Sequence, residues 1–183
     1  MSRTNFGGSS TPEKIRDLWQ TPPEIYAALD AEFHFVADVA ASVKNHLHPR
    51  YLTKQDDALV RGWGDMPQGF VWCNPPYSDI GPWVRQAEHA AIDGVGTVML
   101  VPADMSVEWF RATLDTASEV RVITGGRLAF IREDTGEKVN GNPKGSMLLI
   151  WRPRRLGTKT MTFANRDDLM AAGAALLAER EAA

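Results

Sequence analysis

The chain has 183 residues, of which 44% are hydrophobic and 23% are charged, values typical of a globular domain large enough to bury a core. Its formal net charge is −3, and its single cysteine, Cys73, excludes an internal disulfide and suits a reducing cytoplasm. No stretch has the apolar length of a membrane span, and the N-terminus lacks a basic-then-apolar signal pattern, so we expect a cytoplasmic protein.

The charge is distributed unevenly along the chain. Residues 1–120 carry 9 basic and 16 acidic side chains (net −7), residues 121–160 carry 9 basic and 3 acidic ones (net +6), and residues 161–183 return to −2. A basic block beside an acidic body fits a surface that binds a polyanion. A solvated basic hairpin has the same charge pattern, and charge alone does not separate the two interpretations.

The predicted elements begin after residues 1–18, a segment that we expect to be flexible because its start is rich in Ser, Gly and Thr. Residues 19–183 are predicted to form a single domain. Helices are expected at about 22–31, 80–92, 106–116 and 167–181. Thr21 is expected to be the N-cap of the first helix, and Ser106 the cap of the third. Strands are expected at 33–38, 50–53, 70–73, 96–102, 120–124, 128–131 and 147–151.

The alternation of strands and helices predicts an α/β fold with a mostly parallel sheet. The apolar run 96–102 is typical of a strand buried on both faces. Residues 128–131 and 147–151 flank the polar segment 132–146, which predicts a C-terminal antiparallel hairpin with a long tip.

The residues Asn74-Pro75-Pro76-Tyr77 directly follow the strand predicted at 70–73. A Pro-Pro pair ends a strand, because neither residue donates an amide hydrogen and each fixes its own φ. The resulting stiff turn lies at the carboxyl edge of the sheet, where open α/β sheets bind ligands. An amide oxygen and a backbone carbonyl accept both hydrogens of an exocyclic amine, and a Tyr ring stacks on a planar base. These four residues are therefore the candidate catalytic residues.

The order of motifs along the chain resembles that of S-adenosylmethionine-dependent amino-methyltransferases, and in particular the small phage-type DNA N6-adenine methyltransferase (Dam-like) family. The resemblance runs from about residue 19 to residue 151. It implies a Rossmann-like methyltransferase fold, S-adenosylmethionine as cofactor, and double-stranded DNA as partner, without a metal. The motifs that carry it are Trp19-Gln20-Thr21-Pro22, Asp38-Val39-Ala40-Ala41, Asp56-Asp57-Ala58-Leu59, Trp63 and Val71–Ser78.

The resemblance also implies the cofactor-binding residues. Thr21 and Pro22 match the segment that touches the methionine end, although Thr21 also suits a helix cap. Asp38 matches the acid that accepts from the cofactor's ammonium group, and Ala40 and Asn74 are assigned to the same cofactor site. The alternative for Asp38 is an acid that caps the following turn. Asp57 matches the acid beside the cofactor's adenine, with Asp56 as a rival and a solvated loop as the alternative.

Two features depart from the wider superfamily. No Gly-rich loop follows Asp38, and no ribose-binding acid follows the second predicted strand. His46 and His48 are interpreted as loop residues, because no acids or cysteines at metal-ligand spacing accompany them.

Contact with DNA is assigned to Ser78 and to three basic residues of the 121–160 block, Arg127, Lys144 and Arg154. The segments 126–130 and 142–146 resemble family segments and lie on the predicted hairpin. We find no separate target-recognition domain, so specificity is expected to come from short loops.

The resemblance implies methylation of the N6 amino group of adenine, on a base flipped from the duplex and by direct in-line transfer. Two other enzymes fit the same turn: a glutamine side-chain protein methyltransferase and a cytosine-N4 DNA methyltransferase. A DNA-binding accessory protein that has lost catalysis is a further alternative. Protection of phage DNA from restriction, in the host bacterial cytoplasm, is the expected biological setting.

Overall fold

The computed structural model describes residues 19–139, 144–157 and 160–182. The segment predicted to be flexible, 1–18, and Asn142 and Pro143 lie outside them. The helices are α1 (Pro23–Phe33), α2 (Ala58–Arg61), α3 (Gly81–Asp93), α4 (Glu108–Thr116) and α5 (Arg166–Glu181). The strands are β1 (Trp19–Gln20), β2 (Phe35–Asp38), β3 (Phe70–Cys73), β4 (Gly96–Pro102), β5 (Glu119–Thr124), β6 (Phe130–Arg132), β7 (Lys138–Val139), β8 (Ser146–Trp151) and β9 (Thr160–Asn165).

A six-stranded sheet in the order β2-β3-β4-β8-β5-β9 forms the centre of the molecule. β2, β3 and β4 pair in parallel, as do β5 and β9, whereas β8 runs antiparallel to both of its neighbours, β4 and β5. The sheet is therefore mostly parallel within a mixed α/β structure. This architecture is compatible with a Rossmann-like methyltransferase fold.

The predicted pairing of the C-terminal hairpin is wrong. In the described part of the chain, residues 146–151 form β8 and enter the main sheet, where Pro102 faces Ser146 and Thr97 faces Trp151. β6 pairs instead with β7 and with β1, in a separate antiparallel sheet of three short strands. The apolar run of β8 suits a strand with neighbours on both sides, because all six of its residues are buried.

Helices cover both faces of the main sheet. α1 and α5 pack on one face, around a core that includes Ile25, Leu29 and Trp72. α3 and α4 cover the other face, where a second core contains Trp63 and Trp151. Both tryptophans are completely buried and so belong to the core.

The beginnings of α1, α4 and β2 differ from the prediction. Pro22, not Thr21, occupies the N-cap position of α1, and the Thr21 side chain makes no capping hydrogen bond. α4 is preceded by Val107, so Ser106 is not its cap. α1 extends to Phe33 and ends at His34, whose φ of 52° turns the chain into β2 at Phe35. The strand predicted at 50–53 is reduced to a single parallel bridge between Tyr51 and Asp38.

No helix among the described residues is long and apolar enough to cross a membrane.

Candidate active site

The carboxyl ends of β2 and β3 bring Asp38 and Asn74 together. Asp38 is the last residue of β2 and faces Trp72 across the parallel pair, while Asn74 follows Cys73, the last residue of β3. Side chains at the ends of adjacent parallel strands share one edge of the sheet. The acid and the amide predicted from the sequence therefore lie on neighbouring strands at the edge that binds ligands in such folds.

The Asn74 amide is held in one orientation by β1. Its Nδ2 donates a hydrogen bond of 2.9 Å to the carbonyl oxygen of Trp19. Its Oδ1 is buried and accepts no hydrogen bond from any described residue. Because a buried polar atom without a partner is costly, such an atom is expected to have a ligand as its partner. The arrangement leaves a pre-oriented acceptor at the end of β3.

Tyr77 closes the turn from the other side. Its half-buried ring meets Phe130 of β6 edge to face, with 6.2 Å between the ring centroids and an angle of 90° between the planes. Its hydroxyl is buried and lacks a hydrogen-bond partner within the described residues. Burial raises the pKa of Tyr77 well above its usual value, so the hydroxyl stays protonated. Pro76 accepts from the Asp79 amide at 3.4 Å, which ends the turn.

A small cavity opens between β1 and the ends of β2 and β3. Four of the predicted cofactor-binding residues line it: Thr21, Asp38, Ala40 and Asn74. The cavity is lined in addition by Trp19, Gln20, Asn45, Leu47 and Trp72, which were not assigned from the sequence. Pro22 is buried next to Thr21, and the Thr21 hydroxyl is a second buried oxygen without a partner in the described structure.

Asp38 supports the loop that follows it as well as lining the cavity. Its Oδ1 accepts from the amide of Ala40 at 3.3 Å and its Oδ2 from the amide of Leu47 at 3.1 Å. Burial raises the pKa of Asp38 to about 6, while these two amides and the nearby charge of His46 act in the opposite direction. The turn-capping role considered from the sequence is therefore present, and it leaves further lone pairs on both oxygens for a ligand.

The loop between Ala40 and Leu47 is shaped by side chains in place of glycines. The Ser42 amide donates to Asn45 Oδ1 at 2.6 Å, and the Asn45 amide donates to Ser42 Oγ at 3.1 Å. Ser42 Oγ also donates to Glu133 Oε1 at 2.8 Å, and Gln20 Nε2 donates to the Asn45 carbonyl at 3.1 Å. These contacts tie the loop to the sheet of β1, β6 and β7, and they explain how the chain forms it without a Gly-rich sequence.

Asp56 and Asp57 differ in what their carboxylates do. Asp56 Oδ2 accepts from both the amide and the hydroxyl of Thr53, at 2.8 Å each, and these bonds lower its pKa. Asp57 is exposed, has a φ of 47°, and makes no side-chain cap to α2. Asp57 therefore has the more available carboxylate, although it does not line the cavity described above.

A family model described as DNA N-6-adenine-methyltransferase (Dam) matches residues 8–176 of the chain. A DNA N-6-adenine-methyltransferase of Escherichia phage T1 is 34% identical over 177 residues, which cover 88% of this chain and 74% of the relative. A protein of the same name from Haemophilus phage HP1 is 32% identical over 150 residues, which cover 80% of this chain and 84% of the relative. The chain belongs to the Dam family of DNA N-6-adenine methyltransferases.

Membership of the Dam family confirms the family inferred from the motifs, and with it an enzyme that modifies DNA. Both relatives are phage proteins. The match covers the Asn74 turn, the cavity and the basic block, so all of these residues lie in the part of the chain that the Dam family shares.

Three of the four residues assigned to DNA lie near the Asn74 edge. Ser78 follows the turn, Arg127 follows the end of β5 at Thr124, and Lys144 precedes Ser146, which faces the last residue of β4. Lys144 Nζ forms an ion pair with Asp104, which follows β4. A Dam-family enzyme needs a cationic surface beside its catalytic edge, and two of these residues are basic.

Arg154 is at the opposite edge of the sheet. It follows Trp151, which faces Thr97 near the start of β4, and its amide donates to the Ala91 carbonyl at 2.8 Å. The sequence analysis grouped Arg154 with Lys144 because both belong to the basic block at residues 121–160. Since β8 crosses the whole sheet between them, we leave Arg154 out of the DNA surface.

The cavity residues Gln20, Asn45 and Leu47 were missed by the sequence analysis. Gln20 belongs to the motif Trp19-Gln20-Thr21-Pro22, which was a usable signal, whereas Asn45 and Leu47 lie in an irregular loop without periodicity. Within the described ranges, no group of three or more His, Cys, Asp or Glu residues forms a metal site.

Proposed function

We propose that this enzyme transfers a methyl group from S-adenosylmethionine to the N6 amino group of adenine in double-stranded DNA, with the base flipped out of the helix. The observation that carries the proposal is the buried Oδ1 of Asn74, which has no partner among the described residues and is fixed in orientation by the bond from Nδ2 to Trp19. Family membership favours adenine N6 over the cytosine-N4 and glutamine alternatives.

The cavity residues fit the methionine end of S-adenosylmethionine. Thr21, whose buried Oγ1 has no partner in the described structure, lines the same cavity as Asp38 and Asn74. Asp38 offers a carboxylate to the ammonium group, a charge-assisted contact. Pro22 and Ala40 pack beside them, and Asp57 is the acceptor assigned to the cofactor's adenine. When bound, the cofactor supplies an electrophilic methyl group on a sulfonium.

The Asn74 turn is suited to the target amine. Asn74 Oδ1 and the Pro75 carbonyl accept the two N6 hydrogens, which draws the nitrogen lone pair out of conjugation with the ring. Pro76 keeps the turn stiff, and Tyr77 supports the base by stacking. No general base is required before attack, because the proton leaves after the nitrogen has become cationic. Proximity and orientation supply most of the rate.

The flipped base is required by geometry. The N6 group of a paired adenine is engaged with its partner base, and an enzyme that reacts at a base takes it out of the stack into a pocket. The turn is partly enclosed by β1 and β6, through the contacts of Asn74 with Trp19 and of Tyr77 with Phe130. A base within an intact duplex does not reach such a recessed acceptor.

The first experiment incubates the purified enzyme with labelled S-adenosylmethionine and unmethylated plasmid DNA, followed by nucleoside analysis. Label is expected in N6-methyladenine. Label in N4-methylcytosine, or in protein in place of DNA, would contradict the proposal. Sequencing of the methylated adenines on the same plasmid gives the target sites for duplex substrates.

The second experiment tests the stacking role of Tyr77. Tyr77→Ala removes the ring and is expected to cost about 1–3 kcal/mol of base stacking, seen as lower turnover on duplex DNA. Tyr77→Phe is the matched control, because it keeps the ring and removes a hydroxyl that has no partner within the described structure. A Tyr77→Ala enzyme with wild-type turnover would refute the stacked-base arrangement.

A further inference from the structure

The loop after β4 places an apolar side chain beside the catalytic turn. β3 and β4 run in parallel, with Cys73 facing Met99, so their carboxyl ends lie at the same edge of the sheet. Asn74 follows β3, and Met105 follows the end of β4 at Pro102. Met105 therefore lies in the loop that follows the strand next to the one that carries Asn74.

Met105 is unusually exposed for a methionine. Its relative exposure is 64%, whereas Met99 and Met147 in the adjoining strands are completely buried. Among the other exposed apolar residues of the described structure, Val43 and Val60 follow β2 on the cofactor side, Ile92 and Leu156 lie towards the opposite edge, and Met161 and Phe163 lie on the edge strand β9. Singly exposed apolar side chains are common on protein surfaces, so it is the position of Met105, at the edge that carries Asn74, that makes it available to a bound partner.

Hydrogen bonds and an ion pair fix the conformation of the loop in which Met105 is exposed. Asp104 Oδ1 accepts from the Ser106 hydroxyl at 2.6 Å and from the Ser106 amide at 3.1 Å, and Asp104 Oδ2 pairs with Lys144. Those bonds lower the pKa of Asp104 to about 2. The Ala103 amide donates to the Gly145 carbonyl at 2.8 Å, which anchors the loop to the chain before β8. Met105 lies between the two residues whose side chains clamp the turn.

We propose that Met105 inserts into the DNA base stack and fills the space left by the flipped adenine. This inference rests on the proposed function, because it requires a flipped base. Apolar side chains, Met among them, serve as wedges between base steps in DNA-bending proteins, and an unbranched thioether adapts to the gap between two aromatic faces. The Lys144 ammonium beside the loop offsets the charge of Asp104 next to the polyanion.

The test compares Met105→Ala with the wild type on a duplex that carries 2-aminopurine in place of an adenine the enzyme is known to methylate. Extrusion of 2-aminopurine from the stack raises its fluorescence. The wild type is expected to raise it, and Met105→Ala is expected to lose most of that rise. Turnover of Met105→Ala on the normal duplex should fall about tenfold, which corresponds to about 1.4 kcal/mol of the extrusion cost.

Two comparisons separate a wedge from a structural role. Met105→Leu keeps a flexible apolar side chain and is expected to restore most of the fluorescence and turnover. A duplex with an abasic site opposite the target adenine needs little unpairing, so Met105→Ala should approach wild-type turnover on it. Ile92→Ala is the matched control, because Ile92 is similarly exposed, at 56%, near the end of α3 that leads to the start of β4.

The outcomes are distinguishable. Equal fluorescence for the wild type and Met105→Ala, or equal loss of turnover on the paired and abasic duplexes, would overturn the wedge while leaving base flipping intact. Absence of any rise, together with equal wild-type turnover on the paired and abasic duplexes, would overturn base flipping and the wedge together. Loss of activity in Ile92→Ala equal to that in Met105→Ala would overturn the link to the catalytic edge.

Discussion

Lowering the pH from 7.0 to 5.5 is expected to weaken cofactor binding about fourfold, through the protonation of Asp38. Burial raises the pKa of this carboxyl to about 6 in the free enzyme. Its ionised fraction then falls from about 90% at pH 7.0 to about 24% at pH 5.5, and an ammonium group needs the ionised form. Isothermal calorimetry with S-adenosylhomocysteine, which carries the same amino-acid moiety, measures the change.

Asp38→Ala removes both the affinity and its pH dependence. A hydrogen bond to a charged partner contributes about 1.5–3 kcal/mol, so the dissociation constant should rise roughly 10- to 150-fold at pH 7.0. The fourfold change between the two pH values should disappear. Unchanged affinity of a folded Asp38→Ala enzyme, or a wild-type affinity that is the same at both pH values, would refute the contact with the ammonium group.

The stability of the free enzyme responds to the same group with the opposite sign. Because the folded-state pKa of Asp38 is raised, its contribution to stability is largest below the ordinary value of about 4 and declines as the pH rises through about 6. Between pH 5.5 and 7.0 the two readouts therefore move in opposite directions. A thermal melt at each pH separates a change in cofactor binding from a change in folding, and His46→Gln tests whether the neighbouring imidazole contributes.

Substitutions at four further positions test the catalytic turn, the DNA surface and the packing of α5. Asn74→Ala should lower turnover strongly. The turnover of Asn74→Asp should lie between those of Asn74→Ala and the wild type, because the variant keeps an acceptor but sets a carboxylate against the Trp19 carbonyl. Single-turnover kinetics measures both rates, and equal turnover of the three proteins would contradict the role of Oδ1. Lys144→Ala should reduce the slope of log DNA affinity against log salt concentration by about 0.9 for each phosphate that Lys144 neutralises. Arg154→Ala, at the opposite edge, should leave this slope unchanged. The reverse result would place the DNA surface at the edge that carries Arg154. Gly173→Ala should destabilise the protein by about 1–3 kcal/mol, although Ala has the better helix propensity. The reason is that the added Cβ would lie 1.7 Å from the Glu24 carbonyl oxygen, where α5 packs on α1. An unchanged melting temperature would show that α5 shifts freely.

The site residues that could be predicted from the sequence are those at the ends of strands. Asn74 and Asp38 follow apolar runs, and the parallel sheet predicted from the alternation of elements puts such positions at one edge. Thr21 was recognised as important, but its capping role was wrong, because Pro22 takes the N-cap position and the Thr21 hydroxyl has no partner within the part of the chain that the structure describes. A Thr-Pro-Pro sequence does not by itself show which of its residues begins the helix.

Strand pairing was the part that the sequence did not determine. Residues 147–151 of β8 are all apolar, so their pattern fits any central strand and does not indicate which strands are its neighbours. Arg154 was grouped with Lys144 by charge, although the whole length of β8 separates the two residues. β9 was not predicted, since its side chains are exposed or half-buried at the sheet edge and give no buried run, although Thr160, Thr162 and Ala164 alternate with Met161 and Phe163. A period-2 search over residues 160–165 would have found it.

During synthesis, the main sheet cannot form completely until the chain has been extended to residue 151, because β8 lies between β4 and β5. Until then, β4 and β5 each present an unpaired edge, and that of β4 is apolar along most of its length. Pairings between distant parts of a chain form slowly, and open apolar edges invite association with other chains. The nascent enzyme is therefore expected to depend on chaperones, and a chain truncated before Ser146 is expected to aggregate even though it retains the whole of the Asn74 turn.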